Sequence, residues 1–317
     1  MKTQFIIAFL MIILVVSACS PDLSTDFIIQ NITATPAPKL EATPTLEPDP
    51  FSIESLRNRS YGTGDFTVDR LWYSYDLFER YYVIYDSDDL IIHGFVNVPY
   101  GEGPFPVVIM LHGSVPRDEY KTLDYTTRYA DDLAKQGYIV LHPNLRNFPP
   151  SSLTERIRDS NTGYTIDVLN LLAFLREMAG KEGIFKTADI SRVGIWGHSI
   201  GGSIAMRSMS VEPDAFKAAV LYGAVSQRYA TVTEGSGIFD FSAVETKISI
   251  HHGESDEVIS VEQSRKLCSQ FQQLGIDPEC FFYEGQPHTF YRDQWADPLF
   301  MERTIEFFDR YLKNTIG

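Results

Sequence analysis

The chain predicts an α/β fold, with a mainly parallel eight-stranded sheet and helices on both faces. Three features carry that expectation. Short apolar runs alternate with helix-length amphipathic segments from Tyr81 onward, the pattern of βαβ units joined by right-handed crossovers. The middle runs are continuously apolar rather than alternating, as expected of strands covered on both faces. Finally, the segment from Phe51 to Gly317 has the size of one large α/β domain.

Each element can be placed in order. Strands are predicted at Tyr81–Tyr85, Leu90–Val98, Val107–Leu111, Tyr138–Leu141, Val193–Trp196, Ala218–Tyr222, Lys247–His251 and Cys280–Tyr283. The polar turn Asp86-Ser87-Asp88-Asp89 makes the first two an antiparallel N-terminal hairpin. Residues 165–179 place Ile166, Leu169, Leu172, Phe174, Leu175 and Met178 along one stripe, so they read as a helix buried on one face. Residues 120–135, 200–210, 260–274 and 299–313 also suit helices, with Ser260 as an N-cap. There is no internal repeat.

The N-terminus is different. Lys2 precedes an apolar run from Phe5 to Val16, too short for a comfortable membrane span of about 20 residues and shaped like a secretory signal. Val16-Ser17-Ala18-Cys19 resembles the lipobox of bacterial lipoproteins. The resemblance implies a signal peptide over 1–18, a lipid on Cys19, and a membrane partner reached through that anchor. Residues 19–50 are rich in Thr and Pro and should form an extended tether. The net charge of −15 argues against nucleic acid and against docking on anionic lipid. With Cys19 lipidated, Cys268 and Cys280 remain. They are placed to form one disulfide between a helix and the next strand, two buried thiols being the alternative. No Cys/His cluster has metal-ligand spacing, so neither a metal nor an organic cofactor is expected.

The chemistry centres on Gly197-His198-Ser199-Ile200-Gly201. A serine between glycines, after a strand and before a helix, sits on a turn tight enough to exclude larger neighbours and to present its hydroxyl. A serine hydroxyl needs a base. In folds of this type the chain order is Ser, acid, His. That order selects His288, which follows the last apolar strand, over His251 and His252, which end an earlier one. Between them His251-His252-Gly253-Glu254-Ser255-Asp256 supplies the acid: Asp256 fits the turn position best, with Glu254 its rival. Leu111-His112-Gly113-Ser114 follows another strand. Backbone N–H groups of Ser114 and Ile200 are therefore the oxyanion donors expected, with His112 and His198 in supporting roles.

These residues together resemble an α/β-hydrolase, and the likeness covers nearly everything after residue 60. The runs VNVPYGEGPFPVVIMLHGS, GYIVLHPNLR, ISRVGIWGHSIGG and HHGESDEVI are similar to catalytic domains of the prolyl-oligopeptidase and dienelactone-hydrolase branches. The resemblance implies a triad of Ser199, Asp256 and His288 with Ser114 and Ile200 as oxyanion donors. Relatives often carry an Asp-Tyr-Arg-Gly-type turn after the second core strand, where this chain reads Asn144-Leu145-Arg146-Asn147-Phe148-Pro149-Pro150. Nothing before Phe51 matches the propeller of prolyl oligopeptidases, and the stretch between Tyr222 and Lys247 allows only a minimal lid. Phe148, Tyr164, Tyr222, Tyr229, Phe239 and Phe241 are the candidates for pocket walls.

Three functions follow, in order of weight. The first is an extracytoplasmic serine esterase acting on a small-molecule ester. The second is a prolyl-oligopeptidase-type peptidase taking a short peptide, whose terminus Glu119, Glu234 or Asp240 would hold. The third is a surface binding protein that kept the fold without its chemistry. Oligomeric state is not legible.

Overall fold

The computed structural model describes residues 49–155, 157–226, 239–291 and 295–313, the side chains of 157–161 excepted. All of them belong to the unit Glu47–Gly317. The signal segment, Cys19, nearly all of the tether, Tyr229 and Glu234 lie outside the described residues.

The strands are β1 (Phe66–Ser74), β2 (Phe78–Ser87), β3 (Leu90–Pro99), β4 (Phe105–Leu111), β5 (Ile139–Pro143), β6 (Ala188–His198), β7 (Ala218–Tyr222), β8 (Lys247–Gly253) and β9 (Glu279–Tyr283). They form one sheet in the order β1-β2-β3-β5-β4-β6-β7-β8-β9. From β5 to β9 every pairing is parallel, and β1, β2 and β3 join antiparallel at one edge.

Alternation along the central strands explains the layering. In β4, Val107, Ile109 and Leu111 enter the core shared with α3 (Ile157–Met178), α4 (Ile200–Val211) and α5 (Val261–Gln273). Val108 and Met110 point the other way, to α2 (Thr127–Lys135) and α6 (Ala296–Phe308). Both faces are apolar because both are covered, hence the unbroken apolar runs in the sequence. A short helix, α1 (Ile53–Arg57), adds Ile53 and Leu56 to the first core. Among the described residues no helix is long and apolar enough to cross a membrane.

The sheet has nine strands among the described residues, not the expected eight, because the sequence reading passes over β1. That strand lies at the sheet edge and is almost wholly exposed, so nothing imposes an apolar period on it. Its pairing with β2 slips twice, between Val68 and Arg70 and between Leu71 and Tyr73. Such bulges twist an exposed edge away from further pairing. α2 begins at Thr127, later than expected, and α3 begins at Ile157, earlier. Ser260 does cap α5, accepting from the Glu262 N–H.

Cys268 on α5 and Cys280 on β9 are joined in a disulfide across a sequence separation of 12. Closing a loop of that size stabilises the folded state by about 3 kcal/mol in the chain-entropy account. Replacing Cys268 by Ser should therefore lower the unfolding free energy by about that amount in urea titrations run without reductant. An unchanged midpoint would show that the bond does not constrain the unfolded chain.

Candidate active site

β6 delivers Ser199 with φ 56 and ψ −119, a left-handed backbone that costs a non-glycine residue on the order of 1–3 kcal/mol. The turn is held from three sides. Ser199 N–H donates to the Tyr222 carbonyl at 2.9 Å, while Gly202 N–H and Val225 N–H donate to the Ser199 carbonyl at 3.0 and 3.2 Å. A Cβ at Gly197 would overlap the Gly201 carbonyl, and one at Gly201 would overlap the Leu111 carbonyl. Glycine is required at both places by close backbone approach, which seats the start of α4 against the end of β4.

The end of β4 thereby reaches the serine. A Cβ at Gly113 would stand 3.1 Å from the Ser199 Cβ. Ser114, the next residue, is exposed at the mouth. Ile200 opens α4, so helix geometry leaves its N–H without an intrahelical partner. Gly113 N–H is already spent: it donates to the Tyr125 hydroxyl at 2.8 Å.

Asp256 lies in the turn after β8, and His288 in the loop after β9. His288 Nδ1 donates to Asp256 Oδ2 at 2.7 Å, leaving Nε2 as the free ring nitrogen. The Asp256 carboxylate is fully buried, yet four donors surround it. Val258 and Ile259 N–H reach Oδ1 at 2.8 and 2.7 Å, and His252 Nε2 stands 3.0 Å from Oδ2. Burial alone would raise this carboxyl; the hydrogen bonds from His252, His288 and Ile259 outweigh it and hold it well below its ordinary value. Glu254, the rival acid, instead pairs with Arg265 at the surface.

The loop carrying His288 is clamped by its backbone. The His288 carbonyl accepts from His198 Nε2 at 2.9 Å. Phe290 N–H donates to the Tyr222 hydroxyl at 2.6 Å, and Arg128 donates to the Phe290 carbonyl at 2.8 Å. The ring of His288 lies over Gly223, where a Cβ would be 3.3 Å away. Ser199, Asp256 and His288 thus each follow the carboxyl end of a strand, β6, β8 and β9, on the side of the sheet where ligands bind in open parallel sheets.

Several expected wall residues are elsewhere. Tyr222 is buried beneath the His288 loop rather than lining a pocket. Phe241 packs edge-on against Phe271 of α5 with Phe239 stacked beside it. Phe148 and Tyr164 are buried in an aromatic cluster with His112 and Tyr120, beside the end of β4. Asp240 is paired with Arg57. Tyr125 and Arg128 escaped the sequence reading, and His252, weighed there only as a rival base, instead supports Asp256. For His252 the tandem His251-His252 before Gly253 was a usable signal; Tyr125 and Arg128 carry none.

The site is ringed by neutral imidazoles. Burial, and next the charge of His288, push His198 down to about 3. Burial and the Arg303 charge do the same to His251, and burial lowers His112 and His142 as well. A histidine lowered on folding binds its proton only in the unfolded chain between the two values. Stability is then whole above about pH 6.5 and falls below it, by ~1.4 kcal/mol per pH unit for each such group. The depressed Asp256 acts in the same direction, its contribution also being lost toward acid. Melting temperatures taken from about pH 8 to about pH 5 should therefore drop steeply below about pH 6.5; a flat profile would contradict the buried neutral histidines.

Known proteins share this framework. An esterase of Thermotoga maritima, EstD, is 30% identical over 133 residues, which is 38% of this chain and 28% of that one. The chain thus spans under a third of that relative's length. Among solved structures, the acylaminoacyl peptidase of Pyrococcus horikoshii superposes with a TM-score of 0.58 at 21% identity, over 77% of this chain and 43% of its own. Acetyl xylan esterase 1 of a Thermoanaerobacterium species gives 0.58 at 14% identity, over 82% and 90%. At those identities the likeness is one of fold, the α/β-hydrolase fold. The profile of the dienelactone hydrolase family matches residues 92–312, from β3 through every element that carries Ser199, Asp256 and His288, and the chain belongs to that family.

Proposed function

We propose that this chain is a serine esterase working outside the cytoplasm on small carboxylic esters. The observation that carries the reading is the pairing of His288 Nδ1 with the buried Asp256 at 2.7 Å, in a loop anchored to the same turn that strains Ser199. In this reading Ser199 Oγ attacks the ester carbonyl while His288 Nε2 takes its proton. Asp256 stays ionised, fixes the tautomer and stabilises the imidazolium. The Ser114 and Ile200 N–H groups receive the oxyanion, each donor being worth roughly 10²–10³ in rate. His288 then protonates the departing alcohol, and water, activated by the same imidazole, releases the acid from the acyl-enzyme.

Esterase is preferred over peptidase because Asp240, one of the three acidic side chains considered for holding a peptide terminus, is engaged by Arg57, and because EstD is named an esterase. The location belongs to the proposal too. It rests on the signal-like run and the lipobox resemblance ending at Cys19, and a Cys19→Ala chain should lose metabolic fatty-acid labelling and leave the membrane fraction.

The full chain in mild detergent should react with a fluorophosphonate probe and hydrolyse p-nitrophenyl esters. Ser199→Ala should abolish labelling and lower ester turnover by at least ~10³-fold. A prolyl-peptide amide cleaved as efficiently as the best ester would turn the assignment to peptidase. A wild-type chain that takes up no probe and turns over no ester would mark a binding protein on a hydrolase fold.

A further inference from the structure

We infer that Tyr125 and His198 are positioning residues, forming a one-way hydrogen-bond chain that locks the oxyanion loop to the loop carrying His288. The inference rests on the esterase reading above. Three links make the chain. Gly113 N–H donates to the Tyr125 hydroxyl at 2.8 Å, the Tyr125 hydroxyl meets His198 Nδ1 at 2.6 Å, and His198 Nε2 meets the His288 carbonyl at 2.9 Å.

Neither end of the chain can reverse. A peptide N–H only donates and a peptide carbonyl only accepts. The carbonyl of His288 therefore requires a proton on His198 Nε2. A neutral imidazole then presents a lone pair at Nδ1, and that lone pair takes the Tyr125 hydroxyl proton. The Tyr125 oxygen is left to accept from Gly113. Every proton has one position, and the burial that keeps His198 neutral excludes the second ring proton that would break the order.

Packing leaves the chain no slack. The His198 ring is wedged between Tyr222, with centroids 4.4 Å apart, and His288, at 4.6 Å, with Tyr125 edge-on at 5.3 Å. At Gly113 a Cβ would come within 2.6 Å of the Tyr125 oxygen and 2.9 Å of His198 Nδ1. The chain runs beside Ser199, from the residue preceding one oxyanion donor to the backbone of the base. Its action is thus to set the distance between the base and Ser114 N–H. That distance matters where charge has developed on the carbonyl oxygen, and little in the bound ground state.

The test compares Tyr125→Phe, His198→Asn and the double variant with wild type, all as full chains. Activity is expressed per fluorophosphonate-titrated site, so that misfolded protein is not counted. His198→Asn keeps an acceptor near Nδ1 and loses the donor to His288, so it cuts the chain at the opposite end from Tyr125→Phe. Each single variant should lose ~10–100-fold in kcat with KM changed by less than about 2-fold. Because both cut one chain, the double variant should lose no more than the worse single one. Unchanged kcat per titrated site in Tyr125→Phe, or losses that multiply in the double variant, would overturn the proposal while leaving the esterase reading intact. A wild-type chain that takes up no probe would instead overturn the esterase reading, and this proposal with it. Should His198→Asn fail to fold, His198→Gln, which keeps a donor near Nε2, replaces it with the same expectation against Tyr125→Phe.

Discussion

The site depends on an absence of side chains where three backbones cross. The end of β6, the first turn of α4 and the end of β4 meet so closely that Gly197 and Gly201 have no room for a Cβ. This crossing turns Ser199 into its left-handed conformation and holds it there, since the cost of that conformation is local and the contacts that impose it are many. The same crossing brings Gly113, and with it Ser114, to the serine's side. The Ser199 turn and the Gly113-Ser114 loop are thus parts of one packing event, and neither can be built without the other. A residue larger than glycine at 201 would have to move the β4 end, and with it Ser114.

The other half of the site is assembled by hydrogen bonds to backbone. The loop after β9 is long enough to wander, yet its carbonyls and amides are taken by side chains from β6, β7 and α2. Arg128, one of these anchors, is itself paired with Asp297 at the start of α6, so both ends of that segment are tied to one guanidinium. On the acid side, His252 is held at Nδ1 by Ser264 of α5, 2.7 Å away, and Cys268, one turn further along α5, is bonded to β9. Asp256 and the strand that launches the His288 loop therefore share one helix as support. Around them His198 and His251 serve as buried hydrogen-bonding parts, their pKa values lowered by burial, so the region is a point of weakness in acid.

This division explains which parts were legible in the sequence. Central strands such as β4 and β7 announce themselves because burial on both faces forces an unbroken apolar run. Ser199, Asp256 and His288 could be proposed because each follows such a strand and their order along the chain is constrained by topology. The glycines at 197 and 201 were legible for the same geometric reason. β1 was not, since an exposed, bulged edge strand is under no patterning pressure. The start of α3 was hidden by Ser160, Asn161 and Gly163, weak helix formers. Gly163 is there because the Arg146 guanidinium occupies the place of its side chain. Tyr125 and Arg128 could not be read because each holds a backbone group, the Gly113 N–H and the Phe290 carbonyl, which has no residue type to signal it, and because their side-chain partners, His198 and Asp297, are distant in sequence.

The buried Arg146 also fixes the turn that follows β5. The turn after β5 departs from the pattern common among similar hydrolases, and it holds two non-glycine residues in the left-handed region, Leu145 at φ 57 and Asn147 at φ 68. Such a turn would relax unless something over-determined it. Arg146 does so: its guanidinium forms three hydrogen bonds to the fully buried Asp167, one at 2.8 Å from Nη2 and two at 3.1 Å from Nε, while its backbone N–H donates to the same carboxylate at 2.9 Å. Ser87 donates to that carboxylate from the β2–β3 turn. With one partner gone, the other would be an uncompensated buried charge, at a cost of about 3–5 kcal/mol. The turn in question places Phe148 edge-on against His112, just before the oxyanion loop. The position of Phe148 is therefore set by an ion pair in the core. In the proposed esterase, discrimination among substrates on that side would come from a rigid shape that exists before the substrate arrives, because moving Phe148 would mean straining the one pair that keeps the turn in place.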